Sequence, residues 1–307
     1  MVRRARTVSL PAVRAALYLV RPLRDVAAIR ECLRADGAYA TYALAQLAPR
    51  YFPLVSCWEA SGPAGRALVL FSRGGLGDAV YMSGEPAALA AILALHQGPR
   101  HNFATCREAH LPVVERYYKV ANPRPMLRMV VDRDSFRPPP APRSGVTVRR
   151  MMSADARLVN RLYSSEGQPA FYSAGHIEQG MYHGVFAGRR LVAVAGTHVI
   201  APEEGVAVVG NVFTHPDHRG RGYGTLVTGV TTAALLQSCH TVALTVDPTN
   251  EPAVRAYRRL GYREESRLVE SPITRRSLTG LAPLLSAALA AWRGRHEGGE
   301  LVDVPLA

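Results

Sequence analysis

The spacing of apolar residues along the chain changes repeatedly between helical and strand periods, which is typical of a mixed α/β protein. Stretches with apolar residues three and four apart predict helices, and short apolar runs bounded by turn residues predict strands. In the first half of the chain, the predicted helices cover 26–47, 85–96 and 111–119, and the predicted strands cover 68–71, 79–82 and 126–131.

The second half has a more regular order of predicted elements, in which a strand, a helix and a hairpin come first. Its predicted strands are 146–151, 184–187, 191–200, 206–213 and 242–246, with one more that begins near Tyr262. Its predicted helices are 154–165, 223–238 and 252–260, followed by an amphipathic helix at 278–293.

A proline-rich segment at 137–145 separates the two halves. Its four prolines lack backbone donors and favour extended conformations, so we interpret it as an interdomain linker. The chain length of 307 residues also suits two domains. The predicted division is a flexible Arg-rich N-terminus at 1–24, an N-terminal α/β domain at 25–136, the linker at 137–145, a second domain at 146–270 and a helical extension at 271–307.

The charge balance is strongly basic but points to no particular partner. There are 37 Lys+Arg against 24 Asp+Glu, a net charge of +13, yet only Lys119 is a lysine. An excess made of arginine without a defined patch indicates coding bias more than nucleic-acid binding, so we expect no nucleic-acid partner. Because Lys119 lies outside any G-x-x-x-x-G-K-[ST] sequence, the P-loop NTPases are excluded. The stretch around Lys119 also lacks the phosphate cradle of a pyridoxal-phosphate enzyme.

Four well-separated cysteines form no C-x-x-C pair, so we expect free thiols in a cytoplasmic protein. No H-E-x-x-H and no G-x-S-x-G occurs. The longest apolar stretch, 281–292, is too short to span a bilayer, so we expect no membrane partner. His215 and His218 stand three apart, but two ligands do not make a zinc site, and no metal is expected.

A glycine-rich turn after the predicted strand 206–213 opens a helix. Its sequence is Arg-Gly-Arg-Gly-Tyr-Gly-Thr at 219–225. Unpaired amides and the helix dipole make such a helix start a suitable anion site, and glycines let a phosphate approach the backbone. The spacing does not give G-x-G-x-x-G/A in any frame, which excludes the dinucleotide fingerprint.

The spacing that does fit is R-x-x-G-x-G, made by Arg219, Gly222 and Gly224. A second motif, N-x-x-A-x-x-x-Y-x-x-x-G-[FY], runs from Asn250 through Tyr257 to Tyr262. Together the two motifs and the order of elements resemble the GNAT superfamily of acyl-CoA-dependent N-acyltransferases over roughly residues 146–270. The N-terminal half resembles the divergent domain that precedes the catalytic one in two-domain members such as glycine-N-acyltransferase-like proteins.

The resemblance implies an α/β (α+β) fold, with a mixed and mostly antiparallel sheet flanked by helices in the C-terminal domain. It also implies acetyl-CoA, or another acyl-CoA, as co-substrate. The Gly-rich stretch at 74–77 lacks the loop pattern, so no second CoA site is expected. The residues implied to bind the co-substrate are Val212, Phe213, Thr214, Arg219, Gly220, Arg221, Gly222, Tyr223, Gly224, Thr225 and Asn250.

The resemblance implies that Tyr257 is the general acid for the departing CoA thiolate, and a tyrosine is still protonated at neutral pH. A strand amide, such as that of Phe213, would stabilise the oxyanion. The general base is open, because the strand before the loop carries no glutamate. Candidates are His198, a water held by Asn211, and the side chains of Glu166 and His215.

We therefore expect an N-acetyltransferase that moves an acetyl or short acyl group to a primary amine of a small molecule, by direct attack in a ternary complex. Two alternatives stay open, a protein or peptide N-acetyltransferase and a non-catalytic acyl-CoA sensor. The expected partner is a small amine, and a homodimer is left open.

Overall fold

The computed structural model describes residues 15–73, 78–167, 170–276 and 299–305. The predicted helix at 278–293 and the Gly-rich stretch at 74–77 lie outside these residues. The strands are β1 Ala15–Pro22, β2 Val55–Gly62, β3 Gly65–Ser72, β4 Ala79–Gly84, β5 His101–Cys106, β6 Tyr118–Val120, β7 Arg124–Asp132, β8 Val146–Arg150, β9 His183–Ala187, β10 Arg190–Ala201, β11 Val206–Thr214, β12 Thr241–Val246, β13 Arg263–Arg275 and β14 Glu300–Pro305. The helices are α1 Val26–Ala35, α2 Thr41–Ala45, α3 Pro86–Leu95, α4 Leu111–Tyr117, α5 Ala156–Tyr163, α6 Ala174–Gln179, α7 Tyr223–Leu235 and α8 Glu251–Arg259.

The described strands join into one sheet with the order β14-β1-β2-β3-β4-β5-β13-β7-β12-β11-β10-β9-β8, and β6 pairs with β13. Two neighbouring pairs are parallel, β4 with β5 and β11 with β12, and the other pairs are antiparallel. The mixed, mostly antiparallel sheet with flanking helices confirms the predicted fold class.

The two halves exchange strands at the centre of this sheet. β7 precedes the proline-rich segment but pairs with β12 of the C-terminal half. β13 follows that segment but pairs with β5 of the N-terminal half. The segment 137–145 therefore does not separate two independent sheets, which corrects the predicted division into 25–136 and 146–270.

The predicted ends of the chain also need correction. Ala15–Pro22, expected within a flexible N-terminus at 1–24, is an ordered strand between β2 and β14. Within the predicted helical extension 271–307, residues 271–275 continue β13 and Glu300–Pro305 forms β14. Main-chain pairing across the sheet stabilises these terminal segments, and the local sequence pattern alone does not report it.

Helices from both halves cover the sheet. Ile29 and Leu33 of α1 pack in one core with Val199 of β10 and Ala243 of β12, so the N-terminal helices lie over C-terminal strands. The predicted helix at 26–47 is broken at Gly37, which has a left-handed φ of 59° and ends α1 before α2 begins. The opposite face is covered by α7 and α8, which share a core with β11 and β12.

Candidate functional site

The parallel strands β11 and β12 separate part-way along their length. Their pairing runs from Val206 opposite Thr241 to Val209 opposite Leu244, whereas β11 continues to Thr214. Where the strands part, β11 contains a bulge: two residues, Asn211 and Val212, stand opposite a single residue of β10. Asn211 has a left-handed φ of 54°, which asparagine tolerates better than most residues. The bulge turns Asn211 out of the regular ladder beside the opening.

The backbone of β11 presents polar groups to this opening. The amide of His215 donates to the carbonyl of Val192 on β10, at 2.9 Å. Because alternate residues of a strand point their amides to opposite sides, Phe213 also faces β10, and Val212 and Thr214 face the opening. The amide of Phe213, expected to stabilise the oxyanion, is therefore directed away from the opening, and the amides of Val212 and Thr214 face it instead.

The glycine-rich loop closes one end of the opening. Gly220 and Gly222 have left-handed φ values of 74° and 82°, and no atom lies within 4 Å of where a Cβ would stand on either. The first hydrogen bond of α7 runs from the amide of Leu226 to the carbonyl of Gly222. The amides that precede Leu226 therefore have no acceptor within the helix. The loop thus has the open space and the donors that a phosphate group needs.

The start of α7 lies directly against the end of β11. A Cβ on Gly224 would stand 3.3 Å from the Oγ1 atom of Thr214, so glycine permits this approach. The guanidinium of Arg219 donates to the carbonyl of Thr214 at 3.2 Å. An anion at the loop would consequently lie next to any ligand that extends along β11.

The two loop arginines are exposed and already partnered. Arg219 forms an ion pair of 2.5 Å with Glu166, and Arg221 donates to the carbonyl of Asp217 at 3.2 Å. Glu166 was a candidate base, but the structure places its carboxylate on Arg219. Arg219 and Glu166 both remain in contact with solvent, so their ion pair is weak. A phosphate that binds the loop could therefore replace Glu166 as the partner of Arg219 at little cost.

Three tyrosines surround Asn211, and we call Tyr163, Tyr172 and Tyr182 the tyrosine cluster. Tyr163 donates to the Asn211 carbonyl and Tyr172 donates to its Oδ1 atom at 3.0 Å, while the Asn211 amide donates to the Tyr182 hydroxyl at 2.9 Å. Burial raises the pKa of Tyr163 and Tyr172 and raises that of Tyr182 to about 12. The cluster is therefore protonated at neutral pH and supplies donors instead of a base.

His198, a candidate base, lies beside Asn211, which was the candidate to hold a water as base. Its Nε2 atom is 3.3 Å from Asn211 Oδ1, and its Nδ1 atom bonds to the hydroxyl of Tyr42 from α2. Glycine at 210 makes room, because a Cβ there would overlap the imidazole ring. Burial lowers the pKa of His198, so the ring is neutral, with both nitrogens occupied. This arrangement suits His198 to holding Asn211 in place.

Tyr257 is buried in α8, in the core beneath the opening. Burial raises the pKa of its phenol to about 12, and no hydrogen bond holds its hydroxyl within the described part of the chain. Val212 of β11 packs against the same core, so Tyr257 lies beneath the strand that carries Asn211.

The remaining predicted residues lie at the edges of the site or outside it. Asn250 is exposed and its Oδ1 atom caps α8 by accepting the amide of Ala253 at 3.3 Å. His215, a candidate base, contacts Arg190 and the amide of Asp217 instead of Asn211. Among residues 15–73, 78–167, 170–276 and 299–305 there is no group of three or more potential metal ligands. The same residues contain no helix long and apolar enough to cross a membrane.

Sequence reasoning missed the tyrosine cluster and Tyr42. These residues come from separate stretches of the chain, and no fixed spacing connects them to the glycine-rich loop. The available signal was composition, since the chain has 13 tyrosines against 7 phenylalanines. An excess of phenols over plain rings indicates sites where buried hydroxyls have hydrogen-bond partners.

The sequence profile of the acetyltransferase (GNAT) family matches residues 148–262, which include the opening, the loop and α8. Residues 148–262 are a GNAT acetyltransferase domain. The chain therefore contains an acyltransferase domain, of the family that takes an acyl group from acyl-CoA. The opening between β11 and β12 and the glycine-rich loop at its end both lie within this GNAT domain.

Solved structures share the fold over most of the chain. A Drosophila protein has a TM-score of 0.61 at 17% identity, covering 84% of this chain and 98% of its own. A GCN5-related N-acetyltransferase from Sphaerobacter thermophilus has a TM-score of 0.53 at 19% identity, covering 87% and 97%. A tandem GNAT protein from the clavulanic acid biosynthesis pathway has a TM-score of 0.51 at 12% identity, covering 85% and 99%. A comparison with curated proteins gave no match. These likenesses extend beyond the GNAT domain and show a shared two-part fold.

Proposed function

We propose that the protein transfers an acetyl or short acyl group from acyl-CoA to the primary amine of a small molecule. The observation that carries this proposal is the position of Asn211, on a bulge at the point where β11 and β12 part. A thioester laid along β11 with its phosphates on the loop would bring its carbonyl to this point. Val212, Phe213 and Thr214 would line the pantetheine arm, and Asn250 would meet it at the outer end.

The surroundings of Asn211 favour a small acceptor. The tyrosine cluster borders Asn211 on the side of α5 and α6, and His198 with Tyr42 borders it on the side of the N-terminal half. A site bounded by both halves suits a compact amine better than a folded protein surface. Acyl transfer to protein amines is the competing outcome of the test below.

The chemistry needs a neutral amine, because an ammonium has no lone pair for attack. No carboxylate hydrogen-bonds to Asn211 among the described residues, and His198 is occupied on both nitrogens. Burial and the donor hydroxyls of the tyrosine cluster disfavour a positive charge beside Asn211, so binding lowers the pKa of the acceptor ammonium and releases its proton to water. A water held by Asn211 is the first proton acceptor in this scheme.

The transfer then proceeds by direct attack. The amine nitrogen bonds to the thioester carbon, and the amide of Val212 or Thr214 donates to the oxyanion. As the carbon–sulfur bond breaks, the attached nitrogen loses a proton to water, and the Tyr257 hydroxyl gives its proton to the thiolate and later recovers one from solvent. The net products are the N-acyl amine and free CoA thiol.

The test is thiol release from acetyl-CoA, measured against a panel of small primary amines and against protein lysate, with product masses determined. Thiol release that depends on a small amine and yields its N-acetyl product supports the proposal. Acetylation confined to lysate proteins would overturn the choice of acceptor class.

A further inference from the structure

A cavity of about 330 Å³ lies beneath α2, with walls from both halves of the chain. Cavities of this size are within the range that binds small molecules. Its walls come from α2, from β3, β4 and β5, and from β10 and β13. The lining includes five aromatic rings and a mostly buried carboxylate, which belong to Tyr39, Tyr42, Tyr51, Tyr81, Phe103 and Glu270.

The tyrosines of this cavity present mainly ring surface to a ligand, because three of their four hydroxyls already have hydrogen-bond partners. Tyr39 donates to the carbonyl of Met82, Tyr81 donates to Asp36 at 2.7 Å, and Tyr42 bonds to His198. With the hydroxyls fixed elsewhere, a ligand would meet mainly aromatic surface. The negative face of an aromatic ring attracts cations.

The protein's own arginines already use these rings in that way. Guanidinium carbons lie 4.3 Å from the ring centre of Tyr39 and 4.5 Å from those of Tyr42 and Tyr51. The arginines are Arg107, Arg128 and Arg50, and none of them lines the cavity. The lining therefore contains the three tyrosines without the arginines that contact their rings.

Glu270 is the acidic group inside this cavity. Its side chain is 16% exposed, and its closest cation is Arg128, with an N–O distance of 3.7 Å. No hydrogen bond reaches its carboxylate within the described ranges, although buried carboxylates normally have donors. Arg73 and Asp78 also line the cavity, but both are exposed at its mouth and their charges offset each other.

We propose that this cavity binds a small organic ammonium ion, as a site separate from the acyl-CoA site. The ammonium would donate to Glu270, and its hydrocarbon body would lie against the tyrosine rings. Arg128 weakens the attraction but stands behind the ring of Tyr42 and outside the cavity. An anion would instead be repelled by the carboxylate of Glu270, because Arg128, its closest cation, does not line the cavity.

The wall between the two sites is the side chain of His198. Its ring lines the cavity and contacts Asn211 on the other side. An ion in the cavity would therefore be next to the acyl-transfer site without occupying it. This proposal goes beyond the acyl-transfer function and can be tested without acyl-CoA.

The experiment is calorimetric titration of the full chain, in the absence of acyl-CoA, with 2-phenylethylammonium. The neutral 2-phenylethanol and the anionic phenylacetate are matched probes of the same body. We expect one ammonium ion per chain and affinity at least about tenfold above that for the alcohol, a difference of about 1.4 kcal/mol. Equal affinity for all three probes, or no binding of the cation, would overturn the proposal.

Variants locate the site. Glu270→Gln should weaken ammonium binding about tenfold and leave alcohol binding unchanged, whereas Glu115→Gln on the exposed face of α4 should change neither. Because Glu270→Gln leaves Arg128 without its partner, Phe103→Ala provides a second test on a half-exposed residue. It should weaken ammonium binding about threefold. Unchanged affinity in folded Glu270→Gln and Phe103→Ala proteins would contradict the assignment. Competitive inhibition by benzyldimethylammonium, which keeps an N–H donor but cannot be acylated, against any amine of the panel that is acetylated would also contradict it.

Discussion

Both halves of the molecule contain a unit of two parallel strands joined through a helix, and the two units differ in the connection between the first strand and the helix. Each half has a parallel strand pair, β4 with β5 and β11 with β12, whose strands are connected through a helix, α3 or α7. Between β11 and α7 a loop with two left-handed glycines leaves the first helical amides open. Between β4 and α3 only Glu85 intervenes.

The short connection removes the anion site from the N-terminal half. α3 begins with Pro86, which has no amide hydrogen, and a carboxylate at Glu85 would repel a phosphate. Gly84 packs so closely on Arg66 and Ala67 that not even a Cβ would fit. By this comparison the open loop, and not the strand–helix unit alone, provides the space and the free amides that an anion needs.

The largest expected effect is a loss of kcat on replacing Tyr257 of α8, compared with Tyr117 of α4 in the other unit. Tyr257→Phe should lower kcat by roughly 100-fold to 10,000-fold, because it removes the proton donor for the thiolate. Tyr117→Phe, on the corresponding helix α4, should leave kcat unchanged, since that hydroxyl only bonds the Ala90 carbonyl. Steady-state thiol release measures both. Equal rates for wild type and Tyr257→Phe would remove the proposed acid.

We expect the glycine-rich loop at 219–225 to provide most of the affinity for CoA. Gly222→Val should weaken CoA binding about 100-fold, because a branched side chain strains the left-handed φ and occupies the phosphate space. Gly145→Val imposes similar strain at a φ of 77° in open space away from the loop, and should leave the calorimetric Kd unchanged. Similar losses in both variants would mean that strain, and not the loop, controls binding.

The pH dependence should reflect the acceptor instead of an enzyme base. The pKa of His198 is lowered by burial, so above its ordinary value of about 6.5 the ring stays neutral. Tyr257, with its pKa raised to about 12, stays protonated. We therefore expect kcat/KM to rise about tenfold per pH unit up to the pKa of the free amine. A plateau at the same pH for amines of different pKa would instead reveal a group on the enzyme.

The smallest effect concerns the ion pair at the loop. Glu166→Gln should free Arg219 and lower the KM for acetyl-CoA about twofold, because an exposed pair is worth at most about 1 kcal/mol. Glu251→Gln, which removes an exposed partner from Arg255 on α8, is the control. A raised KM in Glu166→Gln would show that Glu166 orders the loop.

The sequence predicted the elements whose signals are local. The loop at 219–225 and the start of α8 at Asn250 and Pro252 depend on glycines, a cap and a proline within a few residues of one another. The strands β1, β2 and β5 were missed because they carry charged or small residues among their apolar ones. Their partners in the sheet stabilise them.

Long-range features were beyond sequence reasoning. The exchange of β7 and β13 depends on pairing between residues more than a hundred positions apart, which no local period encodes. The surroundings of Asn211 combine Tyr172 with Tyr42, whose positions become neighbours only after α2 packs over β10 and β11. The sequence therefore located the glycine-rich loop and Tyr257, and it left the surroundings of Asn211 undefined.

Hydrogen–deuterium exchange with and without CoA tests the difference between the two units most directly. We expect slower exchange at residues 212–226, where the β11 backbone and the first turn of α7 would contact CoA, and no change at residues 79–90 around β4 and α3. Protection at 79–90, or its absence at 212–226 under saturating CoA, would contradict the assignment of the co-substrate to the C-terminal unit.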